Sequence, residues 1–78
     1  MEHNYLHVFR LTVEGLPETV EFRSFHELDD IAEVTETIAK YISRQEDDFL
    51  VISETVAVRA NRVLRVEHVQ VEKTKPEE

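Results

Sequence analysis

The chain has no cysteine and no tryptophan, and only one glycine and two prolines among its 78 residues. Without cysteine there is neither a disulfide framework nor a thiolate metal site to support a small core. A single glycine excludes a glycine-rich phosphate loop. No apolar run approaches the roughly 20 residues that a membrane-spanning helix needs. Met1–His7 lacks the basic and apolar regions of a secretory signal, so a cytoplasmic protein is expected. Bases are also scarce: 9 Lys and Arg against 17 Asp and Glu give a formal charge of −8. That balance opposes general affinity for nucleic acid or anionic lipid.

What the sequence does have is one stretch of helical periodicity. Between Ser24 and Gln45, Leu28, Ile31, Ala32, Thr35, Ile38, Ala39 and Ile42 recur on one helical stripe. Ser24-Phe25-His26-Glu27 has the spacing of a capping box, which places the helix start there. Acids crowd that start (Glu27, Asp29, Asp30) and bases the end (Lys40, Arg44), as the helix dipole favours. The stripe predicts Ile31, Thr35, Ile38 and Ile42 buried, with Asp30, Glu33, Glu36 and Lys40 in water.

Both flanks read as strand. From Tyr5 to Glu14 the residues alternate, with Tyr5, His7, Phe9, Leu11 and Val13 inward. Gly15-Leu16-Pro17-Glu18 turns the chain back into a second strand, Thr19 to Arg23, giving a β-hairpin. Phe49-Leu50-Val51-Ile52 is apolar on both parities and predicts a central strand covered on both faces. Ser53-Glu54 reads as a turn, Thr55 to Ala60 as a strand, and Asn61-Arg62 as a bend. The last strand, Val63 to Glu72, slips in phase near Glu67-His68, which suggests a β-bulge.

The result is one α+β domain over residues 1–72, in the order β-β-α-β-β-β, followed by a disordered polar tail over 73–78. One helix packs on a sheet of four to five strands. The order resembles that of β-grasp domains, without a residue motif of such a family. That resemblance implies a mixed sheet, preferred here over an all-antiparallel one.

Residues for chemistry are sparse. His3 and His7 stand about 13 Å apart if both lie in one strand, too far to share an ion. His7 and His68 meet only if the first and last strands pair. Ser24, Ser43 and Ser53 lack a nucleophile elbow. No enzyme activity, cofactor or metal is expected. The expectation is a small acidic interaction domain that binds a second copy or another protein through a sheet face or edge. Leu6, Val8, Val69 and Val71 are the apolar candidates for that surface, and Arg59, Arg62 and Arg65 the basic ones. One alternative is an acidic DNA mimic, using the exposed helix carboxylates to occupy a nucleic-acid-binding protein. Another is weak single-strand binding through Arg59, Arg62 and Arg65, although nucleic acid is the less favoured partner.

Overall fold

A computed structural model describes residues 4–45 and 47–74. Strand β1 (Tyr5–Val13) is the centre of a three-stranded sheet, flanked by β2 (Val20–His26) and β5 (Val63–Lys73). Helix α1 (Ile31–Gln45) follows β2, and a separate two-stranded sheet pairs β3 (Phe49–Val51) with β4 (Ala57–Arg59). A single 3-10 turn, Ala60–Arg62, leads into β5.

Each of these strand pairings is antiparallel. The mixed, β-grasp-like sheet is therefore not formed, because the first and last strands run in opposite directions. The five strands are also divided between two sheets. The helix packs on this antiparallel framework.

β1 behaves as its alternation demands. His7, Phe9, Leu11 and Val13 are buried, and Leu11 and Phe9 face Val20 and Phe22 across the hairpin. Gly15 turns the chain at φ +91°, a conformation costly to residues with a Cβ. β2 is longer than the Thr19–Arg23 strand expected from sequence, because its ladder with β1 continues through His7↔Ser24 to Tyr5↔His26. Ser24 consequently lies within a strand and does not cap the helix. The capping residue is Asp30, whose Oδ1 accepts the Glu33 amide at 3.1 Å. Its carbonyl accepts the first helical bond, from Val34 at 3.0 Å.

The buried face of the helix is also shifted from the expected stripe. Val34, Ile38 and Ile42 are buried, Thr35 is half-buried, and Ile31 and Leu28 remain 49 % exposed. The three buried residues join Phe9, Leu11, Val13, Leu50, Val58 and Ala60 in one core.

β3 is not the doubly covered central strand that its composition suggested. Only Leu50 is buried; Phe49 and Val51 lie on the open face of the small sheet. The Arg59 guanidinium sits 5.0 Å from the Phe49 ring centroid and covers part of it. At the other end of the chain, β5 extends to Lys73, and the Thr74 amide donates to the Asn4 carbonyl at 2.8 Å. Lys73 is thus part of the sheet and Thr74 is hydrogen-bonded beyond its end; the rest of the expected tail, residues 75–78, lies outside the described residues, as does His3.

Candidate functional site

β5 is the longest strand, with 11 residues, and forms one edge of the three-stranded sheet. Against β1 it carries two irregularities. Val8 pairs with Gln70 and Phe9 with His68, leaving Val69 as an extra residue. Thr12 pairs with Arg65 and Val13 with Val63, leaving Leu64 extra. These β-bulges account for the phase slip in the sequence. They also leave Leu64 65 % exposed and Val69 44 % exposed.

Pairing with β1 assigns each remaining β5 residue to a face. Val63, Val66, His68, Val71 and Lys73 share the inner face with Val13, Leu11, Phe9, His7 and Tyr5. Arg65, Glu67, Gln70 and Glu72 share the outer face with Thr12, Arg10, Val8 and Leu6. On that outer face Glu67 Oε1 lies 3.7 Å from Arg65 Nη2 and 3.9 Å from Arg10 Nη1. These side chains are exposed, so the pairs orient the groups more than they stabilise the fold.

A groove of about 640 Å³ runs between α1 and the beginning of β5. Thr35, Ala39 and Ile42 form its helical wall, Val63 and Val66 its strand wall, and Asp47 also lines it. Thr35 Oγ1 is buried without a hydrogen-bond partner. The combination is an open strand edge beside a partly apolar slot, which suits an added strand.

The seven surface residues singled out from sequence do not form one patch. Val69 and Val71 lie in β5, Val69 exposed and Val71 half-buried on the inner face. Leu6 is half-buried on the outer face, and neighbouring Val8 is only 8 % exposed, so it adds nothing to an apolar surface. The three arginines are exposed on three different elements: Arg59 on β4, Arg62 on the 3-10 turn and Arg65 on β5.

A second cluster lies on the inner face of the sheet. His7 is fully buried, its Nε2–H donating to the Leu28 carbonyl at 2.8 Å. Its Nδ1 lies 3.0 Å from His68 Nε2, so one proton is shared between the two rings. His26 meets the His7 ring edge-on at 5.4 Å, and its Nε2 is hydrogen-bonded to Ser24 Oγ at 2.8 Å. Burial, and then the charge of nearby His7, hold the His68 pKa below its ordinary 6.5. With both His7 nitrogens engaged by protein groups, this cluster works as a brace joining β1, β5 and the segment before α1. Among the described residues, no group of three His, Cys, Asp or Glu side chains is placed to hold a metal ion.

Sequence reasoning missed the helical wall of the groove because it expected Thr35 and its neighbours to face the core. It also missed His26, which the parity of Val20 and Phe22 would have reached had the second strand been continued. No described helix is long and apolar enough to cross a membrane. No family model, no curated protein and no solved structure matches this chain.

Proposed function

We propose that this chain is a small, non-enzymatic protein-interaction domain whose working surface is the β5 edge, used for self-association or for a protein partner. The observation that carries this reading is an 11-residue strand paired on one side only. Such an edge exposes a row of backbone donors and acceptors, and natural proteins pair it, cover it or blunt it with charge. β5 has bulges and charges, yet it keeps Val69 exposed, and also Leu64, which lines the groove under α1.

Light scattering over a concentration series tests the reading. The expected mass is a multiple of the 9.2 kDa chain at high concentration. Replacing Val69 and Val71 together by lysine should yield a folded monomer, or abolish binding where the edge serves another protein. Measurable affinity for a nucleic acid at physiological salt would overturn the reading in favour of charge-based recognition.

A further inference from the structure

The two faces of β5 constrain what can lie along its open edge. A second strand added antiparallel must set inner residues against inner ones and outer against outer, since a one-residue slip exchanges the faces. When the added strand is β5 of a second copy, related by a two-fold axis, few registers meet this condition. In one of them Val66 of each copy faces Val71 of the other on the inner side. On the outer side Arg65 faces Glu72, and Glu67 faces Gln70. The two-fold axis then passes between His68 and Val69, so the bulged Val69 of each copy faces His68 of the other.

Neighbouring registers are worse for identifiable reasons. Sliding by two residues in one direction sets Glu67 against Glu72, opposing like charges twice across the dyad. Sliding the other way sets inner Val63 against outer Glu72. Of these three registers, only the first matches the faces and also pairs opposite charges.

Resting on the β5-edge reading above, we infer that two copies of this chain pair through β5 in the register that sets Arg65 opposite Glu72 of the second copy. The two three-stranded sheets join into one continuous sheet. The groove explains why this edge is left open beneath the helix. Val71 of the second copy arrives beside Val66, next to the slot walled by Ala39 and Ile42. Lys73 of the second copy arrives opposite Leu64, which lines the same groove as Asp47.

Charge reversal tests the register, with sedimentation equilibrium as the readout. Arg65→Glu and Glu72→Arg should each raise the dimer Kd by at least about tenfold, because each change opposes like charges at two symmetric positions. The double variant R65E/E72R should restore association. Both residues are exposed, and the double variant conserves net charge, so restoration separates a lost contact from a lost fold. If Glu72→Arg alone tightens the dimer while Arg65→Glu leaves it unchanged, Glu67 faces Glu72 and the register is wrong. A dimer indifferent to all three variants overturns the edge pairing and leaves self-association through another surface. A wild-type chain that stays monomeric overturns the inference outright, while binding of a different protein at β5 would still be available to the wider reading.

Discussion

His7 and His68 are hydrogen-bonded ring to ring at 3.0 Å although 61 residues separate them in the chain. The contact exists because β1 and β5 pair antiparallel, with His68 opposite Phe9. His7 Nε2 must carry a proton to donate to the Leu28 carbonyl, which leaves its Nδ1 to share one proton with His68. The pair therefore holds a single positive charge without losing its bond, but not two.

A pH dependence follows from this brace. The folded His68 takes up its proton below 6.5, the value of an unperturbed histidine. The unfolded chain consequently binds more protons between these two pKa values, and stability falls as pH drops through that window. Its contribution is fully present above about pH 6.5. Urea midpoints measured at about pH 7.5 and about pH 5.5 should show the loss, and His68→Gln should flatten it. An equal decline in the His68→Gln variant would assign the effect to other groups.

The start of α1 gives a second expectation. Asp30→Ala should cost about 1 kcal/mol, because Asp30 Oδ1 holds the Glu33 amide. Ser24→Ala removes a contact with His26 and touches no helix amide. Thermal unfolding of both variants checks the assignment: a capping loss at Ser24 with none at Asp30 would place the helix start where the sequence motif put it.

Ser24-Phe25-His26-Glu27 and Asp30-Ile31-Ala32-Glu33 share the same capping spacing, and local pattern alone does not choose between them. The choice is made by the β1 ladder, which extends β2 as far as His26. Non-local pairing likewise decided what composition left open. The alternation of Tyr5–Val13, the hairpin and the phase slip near His68 were legible, since each follows from side-chain period within one strand. The separation of β3 and β4 into their own sheet was not. Phe49 and Val51 look buried by residue type, yet they are 57 % and 67 % exposed. Of the proposed surface, the sequence had pointed to the C-terminal strand edge and to Val69, whose place in β5 is as expected. The groove was not, because it depends on the rotation of α1.

That rotation is measurable. Ile38→Ala should lose roughly 2–5 kcal/mol as a core truncation. Ile31→Ala, at a position 49 % exposed, should lose under about 1 kcal/mol. Comparable losses at the two positions in chemical denaturation would mean that the helix presents the Ile31 side to the sheet after all.

Thr35 supplies the sharpest check on the groove wall. Thr37, two residues on, returns its hydroxyl to the Glu33 carbonyl at 3.0 Å, as helical threonines often do. The Thr35 hydroxyl is buried and makes no such bond. A buried hydroxyl without a partner retains its desolvation cost, and valine replaces that hydroxyl with a methyl group of similar shape. The single chain carrying Thr35→Val should therefore be more stable than wild type by about 1 kcal/mol. Unfolding of wild type and variant, at concentrations low enough to keep both monomeric, gives the comparison. A loss of stability would show that the Thr35 hydroxyl is satisfied in solution, and that the groove is wet or filled where the α1 wall meets β5.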